Sequence, residues 1–314
     1  MGKVGVEMKT SIAQIPLPAD ETYEIQKNHL TSGSGGKRIC IVSGTHGDEL
    51  EGQYVCYQIQ ELLRKRQGKW HGTVDIYPCL NPLGMDSITR KVPVFDLDMN
   101  RIFPGDKDGS MVEYMAACIM DDIKGADLVL DIHASNIYLR EIPQIRINEL
   151  QQDTLVPMGK WMNMDYLWVH SAATVLESTL AYSLNVIGTP TLVVEMGVGM
   201  RITKAYGDQL CTGILNAMME LGMMEKEPLP IKQPIISTDG KVHFLNAACA
   251  GLFLPIARHD HMVEKDEVIG HIVNPLDGTI KSTITAPCNA LLFTLREYPI
   301  VSEGSLIGRL LECE

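Results

Sequence analysis

Apolar runs and amphipathic segments alternate along the first two thirds of the chain. Arg38–Val42 and Ala126–Ile132 are almost continuously apolar, which is typical of strands buried on both faces of a parallel sheet. The alternation predicts an α/β fold, with a mostly parallel mixed sheet covered by helices. The predicted strands are Arg38–Val42, Thr73–Cys79, Ala126–Ile132, Ile142–Ile147 and Thr191–Val194, and the predicted helices are Gln53–Arg66, Met111–Ile123, about Gln151 to Trp161, about Ala173 to Leu184, and Lys204–Met223.

The pattern changes near Glu225–Pro230, where charged residues and prolines predict a linker. Residues 235–314 have no helical period and contain short apolar stretches separated by Gly and Pro, which is typical of an all-β module. We therefore expect a large α/β domain over residues 1–227 and a smaller C-terminal all-β domain over residues 228–314, a small barrel or sandwich.

Two other regions show less pattern. Residues 1–37 are expected to form a lead-in with one strand. Leu80–Ser110 is expected to be a long loop without regular structure. A loop of that length that is not of low complexity usually carries function.

The first candidate chemistry lies at the end of the first apolar strand. His46 and Glu49 fall between this strand and the following helix, where open α/β sheets bind their ligands. An imidazole and a carboxylate, joined by a second histidine, form the ligand set of a catalytic zinc ion that leaves one position for water. The alternative is that both side chains only cap the helix, where a carboxylate is favoured by the helix dipole.

A second histidine occupies an equivalent position. His133 directly follows the apolar run 126–132, so it is expected at the same edge of the sheet as His46 and Glu49. A set of two histidines and one glutamate leaves the fourth zinc position to a water molecule. Asp131, two residues before His133, is either a support for the histidine or an ordinary residue at a strand end.

Glu195 follows the apolar segment Leu192–Val194 and precedes two glycines. A general base beside a metal-activated water must be a group that is not itself a metal ligand, and Glu195 meets this condition. The alternative is a salt-bridged or capping glutamate. Arg90 and the pair Asn100-Arg101 lie on the long loop and can bind a carboxylate or an oxyanion, although exposed loop arginines are usually only solvated.

Bulk composition limits the partners. The 314 residues carry a formal net charge of −12, which argues against a nucleic-acid partner because phosphate binding needs clustered Lys and Arg. No apolar run has the length of a membrane span, and residues 1–10 lack the apolar core of a signal peptide. The eight cysteines contain no CxxC pair and are expected to be reduced. We expect a cytoplasmic protein without membrane contact.

Taken together, these motifs carry a resemblance. The order His46-Gly47-Asp48-Glu49, Asn81-Pro82-Leu83-Gly84, Asp98-Met99-Asn100-Arg101, Asp131-Ile132-His133 and Glu195 closely resembles the succinylglutamate desuccinylase/aspartoacylase family, a branch of the zinc carboxypeptidase-like metallohydrolases. The resemblance covers about residues 38–310, including the C-terminal β-domain of that family.

The resemblance implies a role for each of seven residues. One zinc ion per subunit would be held by His46, Glu49 and His133, and Glu195 would be the general base and proton shuttle. The α-carboxylate of the substrate would bind Asn100 and Arg101, and Arg90 would stabilise the oxyanion.

The chain also departs from the aspartoacylase branch. Arg90 lies ten residues before Asn100, a larger separation than in that branch. The arginine that reads the substrate's side-chain carboxylate has no counterpart in residues 183–188, which disfavours N-acetylaspartate. Arg140, Arg146 or Arg201 could replace that contact.

The function expected from these residues is a zinc-dependent amidohydrolase that deacylates a small N-acyl amino acid. Two alternatives stay open, a zinc carboxypeptidase acting on short peptides and a metal-binding or ligand-binding homologue without catalysis. The sequence also leaves open a homo-oligomer, with the β-module as a subunit interface.

Overall fold

The computed structural model describes residues 6–171 and 177–313 of the chain. Its strands are β1 (Val6–Pro16), β2 (Thr22–Ser32), β3 (Arg38–Ser43), β4 (Gly72–Tyr77), β5 (Leu128–His133), β6 (Leu139–Asn148), β7 (Tyr166–His170), β8 (Thr191–Gly197), β9 (Ile235–Thr238), β10 (Val242–Asn246), β11 (Gly251–Pro255), β12 (His261–Val263), β13 (Val268–Asn274), β14 (Thr279–Thr285), β15 (Ala290–Arg296), β16 (Ile300–Val301) and β17 (Leu306–Glu312). Its α-helices are α1 (Glu51–Lys65), α2 (Pro82–Ser87), α3 (Met111–Ile123), α4 (Gln152–Gly159), α5 (Leu180–Val186) and α6 (Lys204–Glu220).

The centre of the main sheet is parallel, in the order β4, β3, β5, β8. Antiparallel strands extend it on both sides, with β2 and β1 beyond β4, and with β6, β15, β17 and β10 beyond β8. The predicted α/β class with a mixed sheet is confirmed.

Helices cover both faces of this sheet, as the apolar strands predicted. Along β3, Ile39 and Ile41 pack with α1 and α6, whereas Cys40 and Val42 pack with α3 and α5. Because successive side chains of a strand point to opposite faces, a strand between two helical layers is apolar at every position.

The C-terminal region contains a second, four-stranded antiparallel sheet in the order β14, β13, β11, β16. An apolar core that includes Phe253, Ile272, Leu292 and Leu310 joins this sheet to β10, β15 and β17. The smaller β-domain is therefore present. Strands β9 and β15 pair with β7 and β6 of the main sheet, so the sheet continues past residue 228, and the division at 227/228 stays a prediction.

Two expectations from the sequence need correction. The lead-in is a two-stranded antiparallel hairpin, β1 with β2, rather than one strand. Most of β1 is exposed, so its apolar pattern is too weak to reveal a strand. The loop 80–110 is not without regular structure, because α2 lies within it. Asn81 begins this helix by accepting a hydrogen bond from Gly84 N.

The helix predicted from about Ala173 overlaps residues 172–176, which lie outside the described residues, and α5 begins at Leu180. Across 6–171 and 177–313, no helix is long and apolar enough to span a membrane. The cytoplasmic location stays a prediction.

Candidate active site

The three predicted metal ligands lie at one edge of the main sheet. Strands β3 and β5 are parallel neighbours, with Val42 opposite Asp131 and Ser43 opposite Ile132. His46 and Glu49 follow the end of β3, and His133 is the last residue of β5. Parallel strands end on the same side, so residues separated by more than eighty positions in the chain become neighbours.

The turn that carries His46 packs against the α2 turn, and this contact requires glycine. A Cβ atom on Gly47 would lie 1.9 Å from the carbonyl carbon of Gly84. The backbone of Gly47 also donates a hydrogen bond to the carbonyl oxygen of Thr89. Gly47 therefore lets the two loops approach closely, which fixes His46 and Glu49 relative to the loop that carries Arg90.

The Glu49 carboxylate lies between the two imidazoles. Its Oε1 is 2.8 Å from His46 Nδ1, and its Oε2 is 2.9 Å from His133 Nδ1. One donor atom from each residue lies within 4.8 Å of the other two, and all three side chains are buried. The structure brings together the three predicted ligands.

The charges of this cluster depend on one another. Burial alone would raise the pKa of Glu49, but the His46 and His133 imidazoles hold that pKa well below its ordinary value. Burial would likewise lower the pKa of His133, yet Asp131 and Glu49 raise it well above the usual range. The imidazoles and the buried carboxylate thus favour opposite charges on one another, and a metal cation would compete with protons for the same atoms.

A carboxylate also lies behind each imidazole. Asp98 Oδ1 lies 3.1 Å from His46 Nε2. Asp131 Oδ1 lies 3.2 Å from His133 Nε2 without hydrogen-bond alignment, and among the described residues both buried Asp131 oxygens lack a hydrogen-bond partner. Metal-binding histidines are commonly oriented by a carboxylate, and Asp98 is placed to do this for His46. The donor set and its support fit a zinc ion with one open position.

Glu195 lies near these ligands without joining them. It is opposite His133 in the pairing of β8 with β5. Its Oε2 accepts a hydrogen bond of 2.7 Å from Ser135 N, and its Oε1 lies 3.0 Å from Arg146 Nη1. Ser135 adopts a positive φ of 54°, an uncommon conformation that a non-glycine residue adopts at some cost. Its neighbour Ala134 donates its N–H to Glu49. The backbone amides of two consecutive residues therefore donate hydrogen bonds to two carboxylates, those of Glu49 and Glu195.

The three residues predicted from the long loop, Arg90, Asn100 and Arg101, lie in the same region. Arg90 donates to Glu49 Oε1 over 2.9 Å and to Asp98 over 3.3 Å. Asn100 is buried, and its side-chain oxygen accepts a hydrogen bond from Leu180 N at the start of α5. Arg101 is exposed and donates to the Asn100 carbonyl oxygen.

These side chains line a cavity of about 360 Å³. All seven residues singled out in the sequence line it: His46, Glu49, Arg90, Asn100, Arg101, His133 and Glu195. Their convergence was expected, and their chemical roles stay proposals.

Of the residues at the other end of this cavity, the sequence offered only Arg146, as one of three alternatives. There Arg146 of β6 and Arg309 of β17 line the wall, and both donate to the fully buried Glu141 Oε1, over 3.1 Å and 2.7 Å. We call these three residues the arginine end, and His46, Glu49 and His133 the histidine end. Of the three arginines that the sequence left open, Arg146 lines the cavity, whereas Arg140 pairs with Glu297 and Arg201 is exposed.

His170 of β7 also lines the cavity near the arginine end. Burial and the charge of Arg146 lower its pKa to about 4, so the imidazole is neutral near pH 7. Its Nδ1 lies 3.1 Å from Asp239 Oδ1. His170 is the last residue of β7, directly after the apolar segment 166–169, so the signal that pointed to His133 was also present here.

A model of the succinylglutamate desuccinylase/aspartoacylase catalytic domain matches residues 35–221, more than half of the chain. The chain belongs to this family. The resemblance read from the motifs is therefore confirmed, and with it membership of a family of amide hydrolases.

The name of one relative is consistent with this family. An N-alpha-acetyl-L-2,4-diaminobutyric acid deacetylase from Halomonas elongata is 33% identical over 109 residues. That match spans 34% of this chain and only 31% of the length of the relative.

Solved structures of the family share the fold of nearly the whole chain. The product-bound ectoine utilization protein EutE (DoeB) from Ruegeria pomeroyi has a TM-score of 0.82 at 19% identity, covering 99% of this chain and 95% of that one. A succinylglutamate desuccinylase/aspartoacylase from Rhodobacter sphaeroides has a TM-score of 0.82 at 22% identity, covering 99% and 96%.

Proposed function

We propose that this family member is a zinc-dependent amidohydrolase that deacylates a small N-acyl amino acid. The observation that carries the proposal is the convergence of two imidazoles, from His46 and His133, and two carboxylates, from Glu49 and Glu195, on a single cavity. His46, Glu49 and His133 would hold the zinc ion, one per subunit. When bound, zinc would activate a water molecule and polarise an amide carbonyl.

Glu195 would accept the proton of the attacking water and deliver it to the leaving amine. The hydrogen bond from Ser135 N and the ion pair with Arg146 hold one carboxylate oxygen each. Both contacts restrict rotation of the carboxylate, which keeps the base in one orientation beside the zinc ligands.

The arginines of the loop would bind the charges of the substrate. Arg90, next to Glu49, would donate to the carbonyl oxygen as negative charge develops on it. Arg101 and Asn100 would bind the carboxylate of the amino acid, since a guanidinium donates two parallel hydrogen bonds to a carboxylate. Arg101 is more exposed than Arg90, so the carboxylate end of the substrate would lie toward the mouth of the cavity.

The substrate class follows from the relatives' names and the size of the cavity. The Halomonas elongata relative is named for an N-acetylated diamino acid, and the family is named for succinylated and acetylated amino acids. A cavity of about 360 Å³ suits a molecule of that size.

The test of Glu195 separates catalysis from metal binding. Glu195→Gln is expected to lower kcat by about 10²- to 10⁴-fold, the usual contribution of a general base, while zinc stays stoichiometric by metal analysis. Glu220→Gln, which alters an exposed glutamate paired with Lys226, is the matched control and should behave as wild type. Full activity of Glu195→Gln would show that the base lies elsewhere.

A substrate panel tests the reaction class. N-acetyl and N-succinyl amino acids are expected to be hydrolysed faster than unblocked dipeptides. Turnover of dipeptides alone would identify a carboxypeptidase, and zinc binding without turnover of either class would identify a non-catalytic homologue.

A further inference from the structure

A second group of metal-binding side chains lies in the C-terminal domain and does not line the cavity. Within the described part of the chain, two sets of three such side chains have their donor atoms within 4.8 Å of one another, the histidine end and the set His243, Cys288 and Glu312. The function proposed above does not use the second set.

Three separate segments bring this second set together. In the pairing of β10 with β17, His243 is opposite Leu310, and Glu312 lies two residues farther along β17 on the same face. Glu312 is in turn opposite Ala290 in β15, and Cys288 belongs to the turn just before that strand. The register of three strands therefore fixes the convergence.

The geometry of the donors is close to that of a metal site. His243 Nε2 lies 2.8 Å from Glu312 Oε2, and the Cys288 sulfur completes the group. Zinc bonds of roughly 2.0–2.3 Å place tetrahedral ligand atoms between roughly 3 and 4 Å apart, so small side-chain rotations would suffice. His243 and Cys288 are half-buried, and Cys288 packs against the core of the β-domain.

The chemistry of the donors selects the metal. Imidazole, thiolate and carboxylate together suit zinc, whereas magnesium and calcium prefer oxygen ligands alone. An exposed histidine–glutamate pair by itself contributes little to stability, and it gives no reason for a thiol at the same point. Cys313 is next to Glu312 in the chain, and its thiol now donates to the Leu311 carbonyl oxygen.

We propose that His243, Cys288 and Glu312 form a second zinc site, which fastens the end of β17 to β10 and to the turn before β15. The site is structural, because it lies outside the cavity lining and joins three segments of one domain. Its fourth ligand is a water molecule, since the Cys313 thiol donates to the Leu311 carbonyl oxygen instead.

Cobalt(II) distinguishes this site from the first one, because only the second contains a thiolate. The full-length protein, stripped of metal with a chelator, is titrated with cobalt chloride while its absorption spectrum is recorded. We expect two equivalents to bind, one of them producing a near-ultraviolet thiolate-to-cobalt charge-transfer band. His133→Ala should lose one equivalent and keep the band, whichever reaction the enzyme catalyses.

Cys288→Ser should abolish the band, remove one equivalent and weaken zinc binding at that site at least about tenfold. Cys118→Ser, which alters a half-buried cysteine on α3, is the matched control and should keep the band. Glu312→Gln supplies an independent variant with an almost unchanged side-chain volume, and should weaken cobalt binding at the same site. Cys313→Ser should leave the band unchanged, because Cys288 is the thiolate ligand of the site.

Thermal unfolding gives a second readout, because a ligand that binds only the folded state raises the melting temperature. Zinc should raise the Tm of His133→Ala but not that of the double variant His133→Ala, Cys288→Ser. A wild-type protein without a charge-transfer band, or a band that survives in Cys288→Ser, would overturn the proposal.

Discussion

The two ends of the cavity are built from different parts of the fold. The histidine end comes from turns and a strand terminus at the edge of the parallel sheet. The arginine end comes from the interior of strands β6 and β17, which lie more than 150 positions apart in the chain and are separated in the sheet by β15. Chemistry at strand ends leaves a local signature, namely an apolar run followed by a polar cluster, whereas a polar residue within a strand leaves none.

The two ends also differ in how their charges are balanced. At the histidine end, the Glu49 carboxylate lies between two imidazoles, whose nitrogens can bind either protons or a metal ion. At the arginine end, the buried Glu141 carboxylate accepts hydrogen bonds from Arg146, Arg309, Gln144 and Ser135, and Thr294 Oγ1 donates to it as well. The first end is therefore expected to depend on metal, and the second on intact folding of the C-terminal strands.

The largest expected effect is that of His133→Ala. Loss of one ligand should release the zinc ion of the first site, and the missing activation of water should lower kcat/KM by about a thousandfold or more. Metal analysis and kinetics on the same preparation check this prediction. His271→Ala, at a half-buried histidine of β13 that does not line the cavity, is the control. If the His133→Ala protein keeps its activity, the histidine end does not hold a catalytic metal ion.

Glu141→Ala should reduce stability rather than metal binding. Truncation leaves the partly buried Arg146 and Arg309 without their shared carboxylate, which typically costs about 3–5 kcal/mol. Denaturant unfolding of the zinc-loaded protein measures the loss. Glu297→Ala breaks an exposed pair with Arg140 and should cost less than about 1 kcal/mol. Equal effects of the two substitutions would contradict the central place given to Glu141.

The smallest expected effect separates the three arginines that the sequence left open. Arg146→Ala removes a charged contact to Glu195 and should lower kcat/KM by about tenfold, with bound zinc unchanged. Arg140→Ala and Arg201→Ala serve as matched controls and should stay near wild type. If Arg201→Ala has the larger effect, the arginine end is not part of the functional cavity.

The sequence by itself determined the α/β class, the β-domain and the seven residues at the cavity. Each of these features has a local sequence signal. Strands covered on both faces are continuously apolar, and His46, Glu49 and His133 come soon after such runs. Helix α3 shows the same principle, since its predicted bounds, Met111–Ile123, are those observed, and Ser110 and Glu113 form a capping box at its start.

The tertiary structure alone decided what lies opposite the histidines. The hairpin β1–β2 was missed because its outer strand is exposed and lacks an apolar face. Arg309 reaches the cavity because β17 pairs with β15 and β15 with β6, a register that no local segment encodes. Strand order is set by contacts distant in sequence, so residues brought together by it cannot be recognised from their immediate neighbours in the chain.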